Sequence, residues 1–399
     1  MRIRSKWVVT LLTCAAALLI AMAATGTLSG ERETSVLKVG FVFSEDESTP
    51  YTANFIRAQR KLEEKYGERV EIYTRSTVPG KDAERPILDL IRSGCTLLFM
   101  NLDSDVPVTM ARENPEVTFC QVSLPTVSLE GTPENYHTFN GEVYQARYVS
   151  GIAAGLKLRE MLDAGKLQPE EALVGYVGAN STAEVVSGYT AFLLGVRSVA
   201  PEAVMHVRTT GSWGNFNLEK EATRQLIQEG CVIISQHVNT AAPAQACEEA
   251  TVAGRPVYHV GYHQSMMDVA PSSALISLRT NWAPYILQAT AAVMAGRRIE
   301  DAVDGNAHGR DMSAGFESGW VEMLDLNRLI AAEGTEAKLE RAIEGLKKGR
   351  IQVFSGPYTG VNPRNSGAII DLSKGYTENA NSSNPSFCYI LQDCVVLDN

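Results

Sequence analysis

The chain has 399 residues, 45% hydrophobic, 21% charged and 7% aromatic, with a formal net charge of −10. That length exceeds one average domain and suits two sizeable cores, and so ordinary a composition excludes a disordered, collagen-like or multi-span membrane protein. The acidic balance, with no basic arm or patch to offset it, excludes nucleic acid and an anionic lipid surface as direct partners.

Residues 1–30 stand apart. Arg2, Arg4 and Lys6 precede an apolar stretch from Trp7 to about Ala24, closed by Ala21-Met22-Ala23-Ala24. Basic start, apolar middle and small-residue end are the layout of a signal peptide. The apolar run is also long enough to stay as a membrane anchor, so 1–30 reads as signal peptide or anchor. Either route exports the protein, to the cell surface or the periplasm. Cys14 lies inside the apolar run, with most of that run after it, and reads as part of the hydrophobic segment rather than a lipid-attachment site. All three charges before residue 31 are positive, so the remainder carries −13.

From residue 36 onward, short β-branched runs alternate with helical periodicity. Strands are predicted at 36–43, 70–74, 96–101, 117–122, 173–177, 204–208, 231–237 and 256–261. Helices are predicted at 52–65, 83–93, 104–113, 144–163, 182–198, 217–229, 242–253 and 284–296. Continuous apolar strands separated by helices indicate parallel sheets covered on both faces. The run Leu90-Ile91-Arg92-Ser93-Gly94-Cys95-Thr96-Leu97-Leu98 is echoed by Leu226-Ile227-Gln228-Glu229-Gly230-Cys231-Val232-Ile233-Ile234, at an offset of 136 residues. In both, an apolar helix end meets a glycine suited to the left-handed closing position, and a buried strand follows. The expected fold class is therefore α/β: two doubly wound parallel-sheet lobes joined by a hinge. One lobe is expected from 36–139 plus 265–310 and the other from 140–264 plus 311–357. The extension 358–399 reads largely as loop, with short apolar runs at 368–372 and 389–391 as candidate edge strands.

Six cysteines follow Cys14 without CxxC or zinc-type spacing. Cys388 and Cys394 could close a small loop in an oxidising compartment, and the other four read as small core residues. His259 and His263 are four apart, but on a strand they share no helix face, so no metal site is expected. There is no GxSxG, no Walker loop and no GxGxxG after the first strand, so neither an enzyme nor a cofactor is expected. Gly151 and Gly155 have a helix-packing spacing.

In doubly wound sheets, ligands bind beyond the carboxyl ends of the strands, and two such lobes facing each other make a clamp. That rule selects the candidate ligand-binding residues. Tyr51 and Asn54 follow the first strand, offering an aromatic face and an amide. Asn101 and Asp103 end the third strand, and Asn140 precedes a crossing between lobes. In the second lobe the candidates are Asn180 after the strand at 173–177, Trp213 in the loop Gly211–Asn215, and His237 and Asn239 at another strand end. Tyr262, His263 and Trp282 complete the set. Asn180 and Asp103 are equally suited to capping helices.

Several short pieces, in order and spacing, carry a resemblance. They are Asp46-Glu47-Ser48-Thr49-Pro50-Tyr51-Thr52, Tyr144-x-x-Arg147-Tyr148-x-x-Gly151-x-x-Ala154-Gly155, Gly188-x-x-Ala191-Phe192-x-x-Gly195-x-Arg197-Ser198-Val199, Ser212-Trp213, Gln236-His237, Gly261-Tyr262, Asn281-Trp282 and Phe354-Ser355-Gly356-Pro357. Together they resemble the basic membrane protein family of solute-binding proteins that serve ABC importers. The resemblance implies a type I periplasmic-binding fold, a purine nucleobase or nucleoside as ligand, an ABC permease and ATPase as partners, and contact with the membrane only through an anchor or the permease. It also leaves open a flavin-like solute, or a membrane-anchored sensor of the same fold. Many relatives carry an aspartate after the Gly-Tyr pair, suited to ribose hydroxyls, where this chain has His263. That departure counts against a nucleoside and leaves a free base, or a different solute, open. Relatives often have a tryptophan near Pro50, so the stacking surface falls here to Tyr51.

Overall fold

The computed structural model describes residues 36–123 and 129–397, so the expected signal or anchor segment and Cys14 lie outside the described residues. In the first lobe, β1 (Leu37–Val42), β2 (Val70–Arg75), β3 (Leu97–Met100), β4 (Thr118–Val122) and β5 (Tyr136–Gly141) pair in parallel in the spatial order 5-4-3-1-2. Between them run α1 (Pro50–Tyr66), α2 (Glu84–Arg92) and α3 (Val106–Glu113). Leu97, Leu98, Phe99 and Met100 of β3 are all fully buried, as a strand covered by helices on both faces requires.

The chain then crosses into the second lobe. In order come α4 (Val143–Asp163), β6 (Leu173–Gly178), α5 (Ala183–Arg197), β7 (Val204–Thr209), α6 (Phe216–Gln228), β8 (Ile233–His237), α7 (Ala242–Val252), β9 (Tyr258–Tyr262) and β10 (Ala274–Thr280). These strands stack as 10-9-8-6-7, the first lobe's order repeated. The sequence echo falls at equivalent junctions, α2 to β3 and α6 to β8. Gly94 (φ 91°) and Gly230 (φ 103°) both adopt the left-handed turn. The next residues, Cys95 and Cys231, donate back to Leu90 and Leu226, each at 3.1 Å.

Helix α8 (Ala283–Met294) returns to the first lobe's core, and β11 (Asn306–His308) and β12 (Asp311–Ala314) extend its sheet beside β5. β13 (Val321–Met323) pairs antiparallel with β10, and α9 (Thr335–Lys347) packs on α4. The lobe boundaries therefore differ from those expected. Residues 274–280 belong to the second sheet and 311–314 to the first, because each strand joins the sheet edge its parallel partner leaves open, a choice that apolar patterning does not encode. Three crossings result, at 141–143, 280–283 and 314–321, and they run side by side. Glu142 N donates to the Ala314 carbonyl (2.8 Å) and Asn281 N to that of Trp320 (2.7 Å). A Cβ on Gly141 would lie 2.6 Å from Thr280 Cγ2.

Helices α4 and α5 meet through glycines. A Cβ at Gly151 would lie 2.1 Å from the Phe192 carbonyl oxygen, and one at Gly195 the same distance from that of Tyr148. The Gly151/Gly155 spacing is thus a packing device.

The extension is more ordered than its polar composition suggests. β14 (Thr359–Asn362), β15 (Asn365–Asp371) and β16 (Ile390–Leu391) form a small antiparallel sheet, and β17 (Cys394–Leu397) joins the second lobe beside β7. Phe387 stacks on Phe354 at 4.6 Å. From this base the segment touches the first lobe. Asp311 Oδ2 accepts from Ser382 Oγ (3.0 Å) and Ser383 N (2.6 Å), while its Oδ1 accepts from Ser123 Oγ (3.0 Å) and Thr138 Oγ1 (2.8 Å). Cys388 and Cys394 are free thiols, and Cys95, Cys120, Cys231 and Cys247 are buried. Among the described residues no helix is long and apolar enough to cross a membrane.

Candidate functional site

The carboxyl ends of β1 and β3 in one lobe, and of β6, β8 and β9 in the other, bring their loops together where the lobes meet. On the first-lobe side Pro50 opens α1 and sets Tyr51 in its first turn, half-buried. Tyr51 stands edge-on to Phe55 (5.4 Å between centroids), to Trp282 (6.4 Å) and, in the other lobe, to His263 (5.4 Å). One turn further on, Asn54 Nδ2 donates to the His263 carbonyl at 3.0 Å, joining the lobes directly. Asn54 Oδ1 is buried without a partner. Asn101 uses Oδ1 to accept from Ser44 N (2.9 Å), and its buried Nδ2 is likewise unpartnered.

On the second-lobe side β8 ends in His237, fully buried, with Nδ1 3.4 Å from the Tyr176 hydroxyl. Its Nε2 has no hydrogen bond and lies 3.8 Å from Glu184 Oε1. Asn239 N donates to the Trp213 carbonyl (2.7 Å), which fastens the 211–215 loop over the strand end. Asn239 Oδ1 meets His263 Nε2 at 3.1 Å. The Trp213 ring stands 5.9 Å from His237 and is 36% exposed. Tyr262 packs its ring 3.5 Å from that of His263 and 5.0 Å from that of His237. His263 itself has φ 67°, a left-handed conformation costly for most side chains and better tolerated by His, Asn and Asp.

Of the twelve expected residues, the structure links Tyr51, Asn54, Trp213, His237, Asn239, Tyr262 and His263 in a chain of contacts where the lobes meet, with Asn101 at the neighbouring strand end. Asp103 is exposed, reaches Tyr51 through its charge and caps no helix; Ser104 Oγ accepts from Val106 N in that place. Trp282 lies behind Tyr51, edge-on to it at 6.4 Å, with its Nε1 buried and without a hydrogen-bond partner. It is 3% exposed and stacked on Phe55 at 4.5 Å inside the first-lobe core, propping Tyr51 from below. Asn140 and Asn180 serve the backbone: their Oδ1 atoms accept from Gly141 N (2.9 Å) and Thr182 N (3.0 Å), at a crossing and at the start of α5 respectively.

Two residues beyond the expected set belong to this region. Arg147, fully buried in α4, lays its guanidinium 3.9 Å over the Tyr262 ring and donates to the Gln236 carbonyl at 2.7 Å. An arginine flanked by Val143, Ala146, Val149 and Ile152 was the available signal for it. Glu184, which with Asn180 follows β6, sits in the first turn of α5, where acids are common, so its sequence position alone does not separate a ligand contact from a helix-start acid. Burial raises the Glu184 carboxyl to about 7, opposed by Arg147. Burial, and Arg147 with it, pulls both His237 and His263 well below the ordinary imidazole value, so both rings are neutral at pH 7. The walls are thus mainly aromatic, with neutral imidazoles and with Arg147 and Glu184 as the charged groups among them, a surface suited to a planar solute. Among the described residues no three His, Cys, Asp or Glu side chains gather to hold a metal ion. His259 and His263 turn to different partners, Gln236 and Asn239.

Comparison with known proteins agrees with this architecture. The family model described as ABC transporter substrate-binding protein PnrA-like matches residues 38–351. A purine-binding protein of Brucella abortus is 28% identical over 332 residues, covering 80% of this chain and 84% of the relative. A putative ABC transporter glucose-binding protein of Haloferax volcanii is 27% identical over 271 residues, covering 67% of this chain and 61% of the relative. Among solved structures, an ABC transporter solute-binding protein from Conexibacter woesei superposes with a TM-score of 0.60 at 19% identity, over 79% of this chain and 97% of that one. This last likeness bears on the fold alone, which is the two-lobed arrangement of type I periplasmic solute-binding proteins.

Proposed function

The chain belongs to the PnrA-like family of ABC transporter substrate-binding proteins, and we propose that within it this protein captures a purine-type ligand, a nucleobase before a nucleoside, between its lobes. Solute binding for an importer, and not catalysis, is the business of the family. The finer reading is supported above all by one observation: Asn54 Oδ1, Asn101 Nδ2, His237 Nε2 and His263 Nδ1 are all buried near the meeting of the lobes without hydrogen-bond partners. A buried polar atom left unpaired costs about 1–3 kcal/mol, and several in one region mark the place of a ligand that satisfies them. Tyr51 and Trp213 supply faces for a flat heterocycle. His263, where relatives carry a ribose-binding carboxylate, favours the free base. Export to the cell surface or periplasm, and delivery to an ABC permease and its ATPase, complete the proposal.

Two measurements test it. Denaturing the purified protein should release an intact purine for identification. In a thermal-shift series with adenine, hypoxanthine, guanosine, adenosine and riboflavin, a bound purine raises stability by about 2.7 kcal/mol at a hundredfold excess over Kd. No response to any purine, with a clear response to glucose, would overturn the ligand class.

A further inference from the structure

Glu184 sits where β6 hands over to α5, and its surroundings are unusual for an acid. Its side chain remains 33% exposed, while Arg147, Tyr176, His237 and Tyr262 around it are buried. Neither carboxylate oxygen has a hydrogen bond among the described residues. His237 Nε2, which also lacks one, lies 3.8 Å from Oε1. Its charge acts on Tyr51 of the opposite lobe as well as on Tyr176 and Tyr262 of its own. A carboxyl partly exposed among these buried groups, and acting on Tyr51 of the other lobe, lies where the two lobes meet.

We propose that Glu184 is the specificity-determining residue of this site, accepting hydrogen bonds from ring or exocyclic N–H groups of a purine base, with His237 Nε2 serving the neighbouring ring atom. A carboxylate is acceptor-only, so it selects for N–H donors and rejects phosphate-bearing or anionic solutes. When the Tyr176 hydroxyl donates to His237 Nδ1, Nε2 carries the ring proton and becomes a donor. An acceptor and a donor side by side match the donor-next-to-acceptor edge that purine bases present. This inference rests on the purine reading above and adds the edge by which the base is read. It carries a pH signature. The groups facing Glu184 are Arg147 from α4, His237 from β8, Tyr176 from β6, Tyr262 from β9 and Tyr51 from α1. The ligand needs the ionised carboxylate, and burial places that ionisation near pH 7. Affinity therefore weakens as pH falls below 7, approaching tenfold per pH unit for one linked proton.

Calorimetric titration of the full-length protein with adenine and with N6,N6-dimethyladenine, at pH 6, 7 and 8, tests this. The expected results are tighter adenine binding at pH 8 than at pH 6, and an affinity loss of at least about tenfold for the dimethyl base. Glu184→Gln and Glu184→Ala, checked by melting temperature to be folded, should each lose at least about tenfold for adenine and flatten the pH profile. Unaltered adenine affinity and pH profile in either folded variant overturns the role of Glu184 and leaves the purine reading standing. If the native protein binds no purine at any pH, both readings fall together.

Discussion

Asn54→Ala probes closure of the lobes directly. The Asn54 amide and the His263 carbonyl are 209 residues apart in sequence, belong to different lobes and meet at 3.0 Å in a buried hydrogen bond. When the lobes separate, water satisfies both groups. When they close around alanine, the His263 carbonyl is buried without a donor, at a cost of about 1–3 kcal/mol. That cost falls on the closed form alone, so the closed-to-open ratio drops by about 5- to 150-fold. Each lobe's own core is untouched, and the melting temperature of the ligand-free protein should barely change. Small-angle X-ray scattering of the ligand-free protein should show an expanded particle. Adenine affinity should fall by at least as much, because the closed form binds and Asn54 Oδ1 is itself one of the atoms a ligand would satisfy, so the ligand-free scattering is the readout that isolates closure. Asn54→Asp, which sets an acceptor against the carbonyl, should expand the particle at least as much. Native scattering together with adenine affinity within twofold of native would refute the assignment of this contact to closure.

Three further outcomes follow from packing and charge. Gly151→Ala drives a methyl group into the Phe192 carbonyl, 2.1 Å away on a rigid helix; forcing α4 and α5 apart should cost about 3 kcal/mol, read as a lower melting temperature, and a native value would show that the helices can part freely. Asp311→Ala strands the donors Ser123 Oγ, Thr138 Oγ1, Ser382 Oγ and Ser383 N; a loss of about 3 kcal/mol in urea unfolding is expected, and a change below about 0.5 kcal/mol, the usual range for a neutral surface substitution, would remove the extension's tie to the first lobe. Melting temperature should also peak in mildly acidic buffer. Burial raises Glu184 and Glu219 from 4.5 to about 7, so their contribution is complete below 4.5 and is lost as pH rises through 7. Burial lowers His259 from 6.5 to about 3 and pulls His237 and His263 well below 6.5, so their contributions are present above 6.5 and are lost as pH falls, which sets the peak close to 6.5. A monotonic rise in melting temperature from pH 4 to 8, measured by scanning fluorimetry, would contradict that assignment.

Much of this architecture is legible in the chain itself, because it is written in local terms. A run such as Leu97–Met100 has nowhere to go but between two helical layers, and the glycine-closed helix ends at Gly94 and Gly230 announce the same unit twice. The rule that ligands collect at strand carboxyl ends then led to Tyr51, Asn54, His237 and His263 without coordinates. The same rule also selects Asn140 and Asn180, whose Oδ1 atoms accept from adjacent backbone, since a turn residue and a ligand contact have the same signature in one dimension.

What only the tertiary structure decided depends on contacts between distant segments. The sheet edge joined by Ala274–Thr280 or Asp311–Ala314 is set by which neighbour is left unpaired, and both strands went to the lobe opposite the one expected. Trp282 and Trp213 are the same residue type beside similar polar neighbours, yet one is stacked inside a core by Phe55 and the other stands half out in a loop. Glu184 and Arg147 become part of the site because Tyr51, His237 and Tyr262 arrive from elsewhere to enclose one and cover the other. Apolar periodicity is a property of short stretches of chain, whereas enclosure, and the shift in ionisation that follows from it, belongs only to the folded whole.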